Sequence, residues 1–375
     1  MIEMTRYDIV VLGGGIIGCA IAEELARAGK RVCLVERGTI GCQASTAAAG
    51  ILSAQMDVER PGAFFELCQA SRRLYPRWVQ HLEAHSKVSV GYHEDGILYL
   101  ALTDRDVRRM ARRRQWQRRR GLDVERWSPG EVRRHEPNVE GKIQAGFFFP
   151  TEAQLDNVTL MEALRAACRI AGVSVCEQTA VKRLLIRRGS VVGVTTNRGT
   201  LTAPIVVNCL GSWASRCTLR SLHLPVVPAK GQMLSFEAPT RLFRHVVMSE
   251  VAYGVQRRDG RLIVGSTVEF VGFDRRVTLE GMRCILAGFH QLIKPEALSR
   301  CTFRDCWAGL RPCSQDRLPI LGPTSIGGVF VATGHFRHGI LLAPVTAKLM
   351  TELIVRGRSS FDLLPFSLQR FSKYA

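Results

Sequence analysis

Apolar positions divide this chain into short buried strands alternating with amphipathic helices, and later into longer strands with a polar–apolar alternation. Near the start, residues 7–12 (YDIVVL) form a β-branched run of strand length, and 16–28 carry helical spacing that stops at Gly29. Residues 31–35 are a second apolar strand, closed by Glu36. The same alternation returns as a helix over 157–171 ended by Gly172, a strand over 173–177, and a buried strand over 205–209 that runs into Leu210-Gly211-Ser212-Trp213. Between them, 180–186, 191–196 and 200–203 read as a small antiparallel meander turning at Asn197-Arg198-Gly199. Residues 64–86 have helical periodicity through Phe64, Leu67, Leu74, Trp78 and Leu82. Residues 92–102, with Glu94-Asp95-Gly96 followed by alternating Ile97, Tyr99 and Ala101, read as a hairpin.

From residue 225 the pattern changes. Runs at 231–236, 246–256 and 261–268 predict long antiparallel strands, with Asp259-Gly260 as a hairpin turn. A helix follows over 278–293. A strand over 302–310 delivers Trp307-Ala308-Gly309-Leu310-Arg311-Pro312, and strands over 318–322 and 328–333 come next. Gly334 to Gly339 (GHFRHG) open a last helix over 341–355, in which Pro344 is tolerated only near the first turns. Ser128-Pro129-Gly130-Glu131 is a capping box with proline at the first helical position, and 146–150 form a short aromatic strand. No internal repeat or low-complexity linker is visible. Two alternating compositions predict two interleaved domains of α/β class.

Composition refines this picture in three places. The twelve cysteines are scattered without a C-x-x-C pair, which argues against zinc and iron–sulfur sites, so no metal ligands are expected. No run of about 18 uncharged apolar residues is found, so no membrane span is expected. The start, MIEMTRYD, lacks the features of a signal peptide, and the expectation is a cytoplasmic protein. The net charge of +19 is concentrated between Arg105 and Arg120 (RDVRRMARRRQWQRRR), where Thr103 can cap a helix with Asp104 and Asp106 in its first turn. The favoured reading is a solvated helix face. A nucleic-acid patch or an anionic membrane surface are the alternatives, and either would make binding salt-dependent.

The chemistry is concentrated in the first thirty-six residues. Gly13, Gly15 and Gly18 follow the first strand as G-x-G-x-x-G and open the helix. Gly13 permits a tight turn, Gly15 lets a pyrophosphate approach the backbone, and Gly18 lets helix and strand pack closely. The helix N-terminus offers N–H groups and positive dipole, and Glu36 can accept from ribose hydroxyls. A dinucleotide site is the consequence. Two features favour FAD over NAD: the motif stands at the N-terminus of the sequence, and Arg37-Gly38 lead into the small-residue run Ala44-Ser45-Thr46-Ala47-Ala48-Ala49-Gly50, which can lie flat against a large ring. A helix starting at Ser45 or Thr46 would add donors for phosphate.

LGGGIIG with Glu36, STAAAGIL, NCLGSWAS, PAKGQML, GRLIVGST, CWAGLRP and GHFRHGILLAP run in order from end to end of the chain. Together they resemble the D-amino-acid-oxidase-like, FAD-dependent amine- and amino-acid-oxidising family, and within it the glycine oxidases of the thiamine-thiazole pathway. The resemblance implies a Rossmann-type FAD-binding domain (1–90, 141–224 and 312–375) interleaved with a smaller α+β substrate domain with an antiparallel sheet (91–140 and 225–311). It places Ile16, Ile17, Glu36, Arg37, Ala44, Ser45, Ala49, Gly50 and Ile51 around FAD, beside Gly13, Gly15 and Gly18. Val181 would meet the adenine through its backbone, and His335, Phe336, Arg337, His338, Gly339, Ile340 and Leu341 would wrap the flavin. The substrate carboxylate would meet Arg311, with Tyr253 and Arg337 beside it.

By this resemblance the reaction is oxidation of glycine, or of sarcosine or a small D-amino acid, without a protein acid or base. Hydride passes to the flavin, and oxygen is reduced to hydrogen peroxide. Cys306 and Cys313 stand near CWAGLRP without matching the cysteine that tethers flavin in sarcosine-type relatives, so noncovalent FAD is expected. A homotetramer is expected from the relatives. The rival readings are a flavoprotein that modifies a wobble uridine in tRNA and a dehydrogenase that reduces a membrane quinone.

Overall fold

The structure is a computed structural model that describes residues 6–216 and 224–374. Its first sheet has six strands in the order Ile320–Pro323, Val329–Thr333, Ile205–Asn208, Ile9–Leu12, Val32–Val35 and Ser174–Cys176. All neighbours are parallel except the first pair. The central strands are apolar at every position because both faces are covered. Ile9, Val11 and Leu34 pack under the helices Ile16–Arg27, Asn157–Ile170, Ala63–Ser86 and Gly339–Arg356. Val10, Leu12, Cys33 and Val35 pack under the meander Val181–Arg187, Ser190–Thr196 and Gly199–Thr202.

The second sheet has eight strands in the order Thr302–Ser314, Val226–Glu237, Arg261–Gly265, Tyr253–Gln256, Val246–Met248, Ile97–Ala101, Ala145–Phe149 and Glu125–Trp127. It is antiparallel apart from the pairing of Val246–Met248 with Ile97–Ala101. One face packs on the helix Leu279–His290. The other meets Ala49, Met56 and Met110, the last from the arginine-rich helix Asp104–Arg118. That helix and Pro129–His135 carry the caps read from sequence. Thr103 accepts from the amide of Asp106, and Ser128 and Glu131 close a reciprocal capping box.

Four local expectations are corrected. Residues 92–102 do not form a hairpin. The strand Ile97–Ala101 instead finds partners about 45 and 150 residues away, because alternation marks a half-buried strand without naming its neighbour. The run 246–256 is two strands, broken at 249–252, where Ser249 Oγ accepts from the amides of Val251 and Ala252 at 3.2 Å each. Residues 43–47 are turns and no helix starts at Ser45 or Thr46. The strand at 302 continues through Pro312 to Ser314, which an edge strand tolerates.

The last helix buries almost its whole first half. Pro344 lies inside it and removes the amide that would bond the carbonyl of Ile340. The buried Tyr75 hydroxyl donates to that carbonyl, and Ser71 Oγ donates to the next, Leu341, at 2.5 Å. The segment Phe336–Arg356 is long and apolar enough to cross a bilayer by length and composition alone, but it is interrupted by charged residues and 67% of its most apolar 18-residue window is buried inside the protein, as in a core helix.

Candidate active site

A cavity of about 460 Å³ lies between the two sheets, lined at one end by Gly13, Gly15 and Glu36 and at the other by Tyr253 and Arg311. The first strand leads into Gly13, whose φ of +101° and whose missing Cβ, 2.5 Å from the Cys209 carbonyl, admit no other residue. A Cβ on Gly18 would stand 1.9 Å from the Gly13 carbonyl. The motif is therefore packed as its spacing predicts. No acidic residue occupies the first turn of the helix it opens. Its first amide, Ile16, donates to Ser45 Oγ at 2.9 Å, which ties the helix to the small-residue run. Glu36 accepts from the amides of Gly14 and Gly38 at 2.8 Å each, and these bonds fix its carboxylate at the cavity edge. Beside it the Arg37 guanidinium lies 3.9 Å from the ring centroid of Trp213. Arg257, buried and with burial lowering its pKa to about 10, holds the Ala49 carbonyl at 2.7 Å and so pins the small-residue run.

The roof of the cavity is the middle of one row of the second sheet, at Met248, Tyr253, Gly265 and Met233. Directly opposed residues give Tyr99, Met248, Tyr253, Gly265, Met233 and Trp307 across six strands. Opposed residues share a face, so these point the same way, as do Gly309 and Arg311 two and four positions past Trp307. Trp307 Nε1 donates to the Ala47 carbonyl at 3.1 Å and so joins roof to floor. Gly265 leaves room for the Tyr253 hydroxyl and for Met233 Sδ, which lie 3.2 Å apart. Gly231 leaves room for Arg311: a Cβ there would stand 2.1 Å from Nη1.

Arg311 donates to the Thr267 carbonyl at 3.1 Å and to Ser266 Oγ at 2.9 Å. No carboxylate of the described residues pairs with it, and it is half-buried on the cavity lining. Burial lowers its pKa, but a guanidinium stays charged at neutral pH. Burial likewise raises the Tyr253 phenol, which stays protonated. Burial depresses His335 to about 3 and His338 to about 4, so both rings are neutral near pH 7.

The structure brings most of the sequence-named residues onto this one cavity: Gly13, Gly15, Ile16, Ile17, Glu36, Arg37, Ala44, Ser45, Ala49, Gly50, Ile51, Tyr253, Arg311, His335, Phe336, Arg337, Gly339 and Ile340. Four are not on its lining. Gly18 faces Gly13 in the helix–strand contact. Val181 begins the meander, opposite Thr196. The His338 ring is turned edge-on to Phe64, and Leu341 is a core residue. Arg337 lines the cavity but lies 3.6 Å from Asp57, so it already has an anionic partner. Sequence reading missed Met233, Met248, Glu250, Ser266 and Asp57 on the lining. Met233 was recoverable, since it alternates with Gly231 as Trp307 alternates with Gly309. The others depend on pairings between distant segments.

A family model described as FAD dependent oxidoreductase (DAO) matches residues 8–353. The chain belongs to that family. It is 36% identical over 97% of its length, and 97% of the relative's, to a glycine oxidase of Geobacillus kaustophilus (strain HTA426). A solved structure of glycine oxidase from Geobacillus kaustophilus superposes with a TM-score of 0.94 at 34% identity, covering 97% of this chain and 99% of that one. A bifunctional ThiO/ThiG protein of Trichormus variabilis (strain ATCC 29413 / PCC 7937) is 37% identical over 99% of this chain, which spans only 56% of that longer relative. The cofactor of this oxidoreductase is FAD. The glycine turn open to a pyrophosphate, the fixed Glu36 carboxylate, the acid-free helix N-terminus and the small-residue floor fit that dinucleotide.

Proposed function

We propose that the protein oxidises glycine, or a similarly small amino acid, with oxygen as the electron acceptor and hydrogen peroxide as co-product. The observation that carries this reading is Arg311, a cation with no carboxylate partner among the described residues, on the lining of a cavity that also holds the flavin-site residues. Ser266 and Thr267 take up two of its donors and hold the guanidinium plane, and the remaining donors face a guest. An α-carboxylate fits that fork. The Tyr253 hydroxyl, kept protonated, can donate to the same carboxylate. Met233, Met248 and Tyr253 crowd the space behind it, which favours a substrate with little or no side chain.

FAD, when bound, supplies the hydride acceptor, and the protein's residues supply position. Arg311 fixes the carboxylate and thereby the direction of the Cα–H bond. No histidine or carboxylate is needed as base, in keeping with two neutral histidines. The positive end of the last helix, beginning at Gly339, favours negative charge on a reduced flavin. We further propose noncovalent FAD. Among the described residues the cysteines on the cavity are Cys42 and Cys209, and Cys306 and Cys313 are not on its lining. The division into 1–90, 141–224 and 312–375 against 91–140 and 225–311 is proposed on the same basis, as is release of the product toward thiazole formation.

The test is Arg311→Ala with FAD content measured beside kinetics. The glycine KM is expected to rise by about 100-fold or more, the scale of a lost buried carboxylate–guanidinium pair, with flavin retained. Wild-type glycine affinity in that variant would remove Arg311 from substrate binding.

A further inference from the structure

The arginine-rich helix is not simply a solvated face. Arg113 is buried and donates to the Met56 carbonyl, Arg114 donates to the Val124 carbonyl at 3.0 Å, and Arg120 pairs with Glu66. Arg109 does something different. Its Nη2 reaches Glu250 Oε2 at 2.6 Å, on the turn 249–252 that lines the cavity, and the same nitrogen also bonds the Tyr99 hydroxyl and Asp106 Oδ1.

That turn is otherwise largely self-contained. Ser249 and Ala252 bond each other, and Gly288 packs against the Val251 carbonyl. Glu250 is the turn's charged tie to another element among the described residues. The turn is flanked by Met248 and Tyr253, which oppose each other in the roof, and Met248 opposes Tyr99. One guanidinium therefore grips both the Tyr99 end of the row and the turn beside Tyr253.

We propose that Arg109 is a positioning residue for substrate binding, holding through Glu250 the turn that sets Met248 and Tyr253 over the substrate. The proposal rests on the substrate cavity assigned above. Arg109 touches neither substrate nor flavin, so it acts on how well the pocket is pre-formed. Its loss weakens capture of a small carboxylate and leaves the hydride step, once the complex forms, nearly unchanged.

The experiment compares the FAD-loaded wild type with Arg109→Gln, Arg109→Lys and the exchange Arg109→Glu/Glu250→Arg. Three quantities are read: glycine KM and kcat, the dissociation constant of the unreactive carboxylate glycolate from its perturbation of the flavin spectrum, and thermal unfolding. Arg109→Gln is expected to raise KM and the glycolate constant together by about three- to tenfold, the scale of one partly exposed, charge-assisted contact, with kcat within about twofold. Arg109→Lys and the exchange are expected to recover most of the loss. Unchanged KM and glycolate affinity in Arg109→Gln would overturn the proposal. So would a fall in kcat and melting temperature that neither rescue variant reverses, since that marks a merely structural side chain. The glycolate arm separates this proposal from the preceding one: it reports on the pocket even if glycine is not the substrate.

Discussion

At the scale of single residues, the site depends on absent side chains as much as on present ones. Arg311 can lie flat across the neighbouring strand because Gly231 has no Cβ. Gly231→Ala places a methyl 2.1 Å from Nη1, but the obstructed atom is the tip of a flexible side chain. The guanidinium should swing away while the sheet stays folded. The expected outcome is a rise in glycine KM approaching that of Arg311→Ala, with a stability change of under about 1 kcal/mol and unchanged flavin content. Steady-state kinetics beside a thermal melt check this, and a variant with wild-type KM would show that the guanidinium does not need that seat.

At the scale of elements, Asp57, on the cavity wall beside Arg337, ends the loop 53–57, which is held from beneath by a buried carboxyl. Glu152 accepts from the amides of Ala54 at 2.7 Å and Gln55 at 2.6 Å. Burial pushes it up to about 8, against the lowering effect of those two amides. The group titrates near 4.5 when solvated, so the folded state holds its proton more tightly than the unfolded chain. Its contribution to stability is present below about 4.5 and is lost as pH rises through about 8. Melting temperatures of wild type and Glu152→Gln across pH 5 to about 9 should therefore diverge, with the wild type losing more stability on the alkaline side. Parallel curves would mean that Glu152 is ionised throughout.

Elements also mark what the sequence could reveal. Local chemistry was legible: the Thr103 and Ser128 caps, the glycine turn and the helices stopped at Gly29 and Gly172, both in left-handed conformation, each follow from a few adjacent residues. Partner choice was not. Nothing near Ile97 names Ala145–Phe149 or Val246–Met248 as its neighbours, and the break at 249–252 depends on Ser249 folding back on two amides that an alternating pattern does not register.

At the scale of the whole molecule, segments of both sheets line one cavity, and most of the sequence-named residues converge there. Arg311 was found from CWAGLRP, but its setting required Thr302–Ser314, Val226–Glu237 and Arg261–Gly265 to lie side by side, which is a property of register. The positive charge has a similar lesson. Several of its arginines fasten the helix to other segments, Arg113 from inside on Met56, Arg114 on Val124, and Arg109 and Arg120 at the surface on Glu250 and Glu66, a use that composition does not distinguish from a solvated face.

Met233 and Met248 put two thioethers in the chamber where peroxide would be released, one of them touching the Tyr253 hydroxyl. Peroxide converts such sulfur to sulfoxide, which is larger and polar. The catalyst is then expected to wear out by turnovers completed rather than by hours elapsed. Catalase or Met233→Leu should lengthen its working life, and peptide mass spectrometry of spent enzyme should find the added oxygen on Met233.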